Sequence, residues 1–169
     1  PLQGKTVAVL GYGNQGQAQA LNLRDSGVQV IVGNRPDAYF DKAVADGFQP
    51  MPILDAARQG DILLVLTTDE SQPLIWPEQI LPGVTAGKTL VWASGYNVGY
   101  NLIAPPPDVD VVMVAPRMIG ANVRALYQAG SGALAQFAIH QDATGHARET
   151  TLALCKGVGL TRNGVFESS

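Results

Sequence analysis

Gly11, Gly13 and Gly16 are spaced G-x-G-x-x-G in the run VAVLGYGNQG, the clearest pairing of residue type and spacing with chemistry in this chain. Placed between a strand and a helix, such a run forms a phosphate-binding turn. Gly11 would permit the tight turn, Gly13 would let a pyrophosphate approach the backbone, and Gly16 would let helix pack on strand. N–H groups at the helix start would then face the phosphate charge. A packing-driven turn that binds nothing has the same spacing, so context decides. Here apolar residues lead in, NQGQAQALNLRDS leads out as a helix, and a βαβ unit closes at Val28–Val32.

The residues about 20 positions further on select between dinucleotides: an acid grips a ribose 2′-hydroxyl, an arginine suits a 2′-phosphate. This chain reads VIVGNRPDAYFD, placing Gly33 in the slot with Asn34 and Arg35 next. Arg35 offers bidentate bonds to a dianion and favours NADP. Asp37 repels a 2′-phosphate, which keeps NAD as the alternative; as a plain pair of solvated loop charges the two would select neither. Thr67, Thr68 and Ser94 fall at the carboxyl ends of predicted strands, where ligands of open α/β sheets collect. His140 and His146 flank Asp142 in IHQDATGH. Structural zinc wants four soft or imidazole ligands, so no metal is expected and Asp142 or Thr144 is read as a helix cap. Trp76 and Trp92 read as packing.

The elements needed to hold these residues alternate along the chain. Apolar runs predict strands at Thr6–Leu10, Val28–Val32, Asp61–Leu66, Thr89–Ala93, Val111–Ala115 and Leu134–His140, with a weaker one at Phe48–Met51 where Pro50 argues for an edge or bend. ILLVL and VVMVA are continuously apolar, as strands covered on both faces must be. Helical spacing joins Ile119, Val123, Leu126 and Tyr127, and again Ala147, Thr151, Leu154, Cys155 and Val158, which makes Cys155 a core residue. Gly27, Gly47 and Gly60 mark helix ends, and PPPD at 105–108 a rigid turn. The fold class is α/β, a Rossmann-type doubly wound, mostly parallel sheet with helices on both faces, in a single domain over residues 1–169. Of 169 residues 46% are apolar and 15% charged, and the net charge is −3, which gives no reason to expect nucleic acid or an anionic membrane as partner. No apolar run approaches the ~20 residues of a membrane span, and no signal segment opens the chain. One cysteine points to a reducing cytoplasm. The chain opens without Met and ends in GVFESS, as a processed or cut piece would.

GKTVAVLGYGNQGQAQALNLRDSGVQVIVGNRP resembles the opening of the ketol-acid reductoisomerases, the acetohydroxy-acid isomeroreductases of branched-chain amino-acid synthesis. The resemblance continues through TTDESQP, DVDVVMVAPR, IHQDATGHA and CKGVGLTRNGV. It covers the amino-terminal nucleotide-binding domain of that family. It implies that Tyr12, Gly13, Asn14 and Gln15 form the phosphate turn and that Arg35 meets the 2′-phosphate. It further implies that Asp69, Glu70, Ser71 and Gln72 form a D-E-x-Q cofactor loop, and that Gly120 lies near the nicotinamide. The family's serines after the arginine are missing from RPDAYFD, which bears on NADP against NAD in the same direction as Asp37.

The catalytic side departs from the family. Its A-H-G-F-N becomes ASGYN, with Ser94 in the histidine's place and Gly95 next, and its P-K-G-P-G-H becomes PRMIGA, with Arg117 where a lysine stands. A serine without a partner base takes no proton at neutral pH, and arginine stays protonated. The family's helical domain, which supplies acidic ligands for two magnesium ions, is not matched. The resemblance therefore implies an NADP-dependent oxidoreductase that reduces a small carbonyl or imine without the metal-dependent isomerisation, Ser94 and Arg117 holding or polarising substrate. The alternatives are a non-catalytic NADP(H)-binding module and a fragment acting with a separate metal-binding chain; a homodimer or partner chain would cover its open face.

Overall fold

Strand runs such as ILLV and TLVW have no polar face to turn to water, so each must lie between two layers. The computed structural model describes residues 2–168 and places them so. In chain order it contains β1 (Thr6–Leu10), α1 (Asn14–Asp25), β2 (Gln29–Gly33), α2 (Ala38–Ala45), α3 (Ile53–Gln59), β3 (Ile62–Val65) and α4 (Gln72–Ile75). Then follow β4 (Thr89–Trp92), α5 (Tyr96–Gly99), β5 (Asp110–Pro116), α6 (Gly120–Gln128), β6 (Ala135–Gln141), α7 (Ala147–Val158) and β7 (Val165–Glu167). The sheet runs β2-β1-β3-β4-β5-β6-β7 and is parallel except where β5 meets β6.

Alternate residues of each central strand feed two cores. Val7, Val9, Ile62, Leu64 and Val91 pack with Leu23 of α1 and Leu154 and Cys155 of α7. Ala8, Leu10, Leu63, Val65 and Leu90 pack with Ala56 and Ala57 of α3 and with Trp76. Cys155 is fully buried, and burial pushes its thiol up to about 12, far from thiolate chemistry at neutral pH. Trp76 packs 5.9 Å from Trp92, both inside the core. Among the described residues no helix is long and apolar enough to cross a membrane.

Several expectations shift. Residues Phe48–Met51 form no strand: Met51 makes one isolated bridge to Gly33, and Pro50 has no N–H for a ladder. Strand β7 was not foreseen, because three residues paired only to β6 carry no periodic signal. Gly27 and Gly47 adopt positive φ at helix ends, as expected of C-terminal glycines. Gly60 ends α3 at φ −77, and its smallness instead serves packing: a Cβ there would stand 2.6 Å from the Ala8 Cβ. The residue that caps α7 is His146, whose side chain makes no cap bond; Asp142 Oδ1 reaches the Ala147 N–H of the first turn from further back, and Thr144 Oγ1 accepts from the His146 N–H ahead of the helix.

Candidate functional site

Strand order reverses between β1 and β3, so the loops leaving β1 and β3 diverge and open a crevice at the carboxyl edge of the sheet. The glycine turn fills its floor. Gly11 sits at φ +97, and a Cβ on it would lie 2.8 Å from Thr67 N. On Gly16 a Cβ would stand 1.9 Å from the Gly11 carbonyl oxygen, so only glycine lets α1 start this close to β1. Gly13 differs: a Cβ there meets nothing, because the backbone faces open space. Helix α1 begins at this point with no side-chain cap and no acidic residue in its first turn. Its N–H groups and positive dipole end are thus free to receive an anion.

Two polar side chains, Asn34 and Tyr12, tie the turn to the loop after β2 and to the end of α2. The Tyr12 N–H donates to Asn34 Oδ1 at 3.1 Å, and the Tyr12 hydroxyl donates to Asp46 at 2.8 Å. Tyr12 is 1% exposed, so it supports the turn from below, and burial with the Asp46 carboxylate pushes its phenol well above its ordinary pKa. Asn34 is buried too, and its Nδ2 donates to the Arg35 carbonyl and to Asp37 Oδ1. The Asp37 carboxylate therefore has several partners. It caps α2 by accepting from the Tyr39 and Phe40 N–H groups, and it holds the Arg35 guanidinium at 2.8 Å. The Arg35 contact, more than any other, holds the Asp37 carboxyl below the usual carboxylate range. Arg35 itself stays 80% exposed at the rim.

On the other side of the turn lies a cleft of ≈ 250 Å³ bounded by Gln15, Thr67, Thr68, Asp69 and Ser94. The Thr67 Oγ1 is buried there without a hydrogen-bond partner. Ser71 Oγ turns back onto the Thr68 carbonyl, and Glu70 is exposed. Gln72 is 2% exposed, its amide bonded to Trp92, Asn97 and the Thr67 carbonyl. Ser94 Oγ accepts from the Tyr96 N–H at 3.2 Å, which leaves its own proton available to donate. Ser94 also borders a second, more apolar cavity of ≈ 260 Å³ with Gly95, Met113 and His140.

Arg117 lines a different cavity from Ser94, an open hollow shared with Asn14, Gln15 and Gly120. Its guanidinium lies 6.0 Å from the Phe166 ring and has no salt-bridge partner among the described residues. Gly120 starts α6 against the turn: a Cβ on it would lie 1.9 Å from the Asn14 carbonyl oxygen. Gln15 bridges the two regions, its Nε2 donating to the Met118 carbonyl. The fold thus gathers Gly11–Gly16, Thr67–Asp69, Ser94 and Gly120 around one crevice, sets Arg35 and Asp37 at one end, and leaves Gly95 in the adjoining cavity. Sequence reading gave no role to Asp46, Asn97 or the Asn34 side chain. The signal was thin, a polar residue beside a glycine or an aromatic, and burial alone reveals it. No group of three or more His, Cys, Asp and Glu side chains that could hold a metal comes together among the described residues.

The arrangement suits a dinucleotide: an uncapped helix start over open backbone for a pyrophosphate, a cation at one end, and a cleft with an orphan hydroxyl at the other. Comparison with known proteins agrees. The family model of the acetohydroxy acid isomeroreductase NADPH-binding domain matches residues 1–164. The ketol-acid reductoisomerase (NADP(+)) of Akkermansia muciniphila is 50% identical over 166 residues, 98% of this chain and 51% of the relative. That of Pyrobaculum arsenaticum is 49% identical, across 100% of this chain and 52% of its own length. The chain thus spans about half the length of the curated relatives it matches. An NADH-preferring ketol-acid reductoisomerase from an uncultured archean superposes with a TM-score of 0.98 at 42% identity, covering 99% of this chain and 53% of that one. A semialdehyde dehydrogenase NAD-binding protein from Cupriavidus necator, at 16% identity and a TM-score of 0.82, shares the fold alone. The chain belongs to the acetohydroxy acid isomeroreductase family, as an NADPH-binding domain of Rossmann type.

Proposed function

We propose that residues 1–169 act as one dinucleotide-binding domain, and that its crevice positions NADP(H), with NADH as the alternative, for reduction of a small carbonyl or imine compound in branched-chain amino-acid synthesis. The observation that carries this reading is the contrast within the turn. Gly11 and Gly16 have no room for a Cβ, whereas Gly13 faces open space at an uncapped helix start. The bound nicotinamide would supply the hydride. The backbone N–H groups of Gly13, Asn14 and Gln15 would hold the pyrophosphate, and Arg35 would meet the ribose end. Thr67, with Asp69, Glu70, Ser71 and Gln72 of the loop it opens, would form one wall of the cleft beside the Gly120 turn. Ser94 can donate its hydroxyl proton toward a developing alkoxide, and Arg117 can hold a substrate carboxylate. Neither can act as a proton shuttle at neutral pH, so no acid–base step is assigned to them. No metal-dependent step is assigned to these residues either, because no donor set for a metal comes together among the described residues.

Fluorescence titration with NADPH and NADH tests the core of the proposal. Binding of at least one at micromolar concentration is expected; no binding of either below millimolar overturns it. NADPH consumption with 2-oxo and acetohydroxy acids, with and without magnesium, separates catalysis from a binding module. The module reading needs only the cofactor site, and a bound but unconsumed cofactor would establish it. Magnesium-dependent turnover of acetolactate by this chain would overturn the assignment of no metal step. A cytoplasmic setting fits the single buried Cys155, and pairing with a second copy or partner chain fits the exposed Met118, Ile119, Leu134 and Phe166. Sedimentation of the chain reads the latter.

A further inference from the structure

We propose that Gln72 and Asn97 form a buried amide clasp whose task is to position the nicotinamide-side wall of the crevice, not to touch the cofactor. This rests on the cofactor reading above. Gln72 and Asn97 are 2% and 1% exposed. Gln72 Oε1 accepts from Trp92 Nε1 at 2.9 Å and from Asn97 Nδ2 at 2.8 Å, which fills both lone pairs of that oxygen. Gln72 Nε2 donates to the Thr67 carbonyl at 2.8 Å, and Asn97 Nδ2 donates a second bond to the Asp69 carbonyl at 3.0 Å. Four hydrogen bonds therefore join the loop after β3, the start of α4, the end of β4 and the short helix α5. These are the segments that carry Thr67 and Asp69 on one side of the cleft and Ser94 on the other.

Chemistry leaves little else for the pair to do. The Gln72 oxygen has no lone pair left for a ligand. The Asn97 Oδ1 is buried without a partner, so the side-chain hydrogen bonds of Asn97 run through its Nδ2 alone. The backbone carbonyls the clasp holds belong to the residues flanking Thr68, so the clasp fixes the course of that loop and with it where the unpartnered Thr67 hydroxyl points. A loop freed from the clasp would still leave the glycine turn and Arg35 in place, since these hang on β1 and β2.

That division gives a test in which a merely structural role reads differently. Gln72→Met keeps bulk and removes three of the four bonds, leaving only that from Asn97 Nδ2 to the Asp69 carbonyl. Titrated with NADPH, the variant is expected to bind about tenfold more weakly than the parent chain. Titrated with 2′,5′-ADP, which carries the adenosine half and no nicotinamide, it should stay within about twofold of the parent. Asn97→Ser, which removes the amide donor from the other side, should reproduce the split if Gln72→Met fails to fold. The double variant should be no weaker than either single one, because the clasp acts as a unit. Equal weakening of both ligands, or undiminished NADPH binding, overturns the proposal. A parent chain that binds neither ligand instead overturns the cofactor reading on which it rests.

Discussion

Gly13 and Gly16 are neighbours in one turn, yet a methyl group would do different things at the two positions. At Gly16 it would collide with the Gly11 carbonyl oxygen at 1.9 Å, so Gly16→Ala should destabilise the fold by about 1–3 kcal/mol through forced displacement of α1. At Gly13 it would meet only open space, so Gly13→Ala should leave the unfolding midpoint nearly unchanged while weakening NADPH binding about tenfold. Denaturant melts and titrations of the two variants read this directly; equal loss of stability in both would contradict it. Asp37 gives a pH-dependent case. Its folded-state pKa is depressed, chiefly by Arg35, so its contribution is present above the unfolded carboxylate value and is lost as pH falls through the folded one. Asp37→Ala should therefore cost about 1 kcal/mol at neutral pH as a lost helix cap, and the gap to the parent chain should close in acid. A gap that persists to strongly acidic pH would remove the cap from the account. The same substitution frees Arg35 from its partner and should shift binding toward NADPH over NADH, since a carboxylate no longer competes with the 2′-phosphate.

Elements are held in register by side chains that no periodicity announces. Lys88, at the entry to β4, donates to the carbonyls of Ala57 and Arg58 at the end of α3 and to that of Gly83 in the turn before it. Burial pulls its ammonium below the ordinary lysine pKa, and the Asp61 charge works against that pull. Lys88→Met leaves three carbonyls without this donor and should cost about 1.5–3 kcal/mol in chemical denaturation, with cofactor affinity unchanged because the clamp lies at the amino-terminal end of β4, opposite the crevice. Asp110 plays a similar part for β5, accepting from Ala143, Thr144 and the Thr144 hydroxyl to shape the run into α7. The sequence displayed the helices these residues serve, since α7 spans the stretch whose apolar stripe carries Leu154 and Cys155. It did not display the clamps, because a lysine or aspartate at a strand start looks the same whether solvated or bonded to a distant turn.

For the whole molecule, the crevice couples function to stability. A ligand that binds only the folded chain stabilises it by about 2.7 kcal/mol at a hundredfold excess over its Kd. For a chain of this size that corresponds to a rise in melting temperature of roughly 5–11 °C. NADPH should produce it in the parent chain, and a melt indifferent to both NADPH and NADH would match a failed titration. The fold class, six of the seven strands, the glycine turn and the cofactor class were all legible in the residues themselves. Apolar runs, helical spacing and the G-x-G-x-x-G geometry are local properties that constrain the backbone wherever they occur. What only the tertiary structure decided was which polar side chains face the crevice and which are spent inside. Gln72 reads in the sequence as part of a cofactor loop and folds into a buried clasp. Asp37 reads as a charge opposed to a phosphate and folds into a helix cap that also holds Arg35. Asn34 reads only as a neighbour of Gly33 and becomes the joint between the turn and the loop after β2. Their partners lie on other segments of the chain, and a hydrogen bond across the sheet leaves no pattern in the sequence at either end.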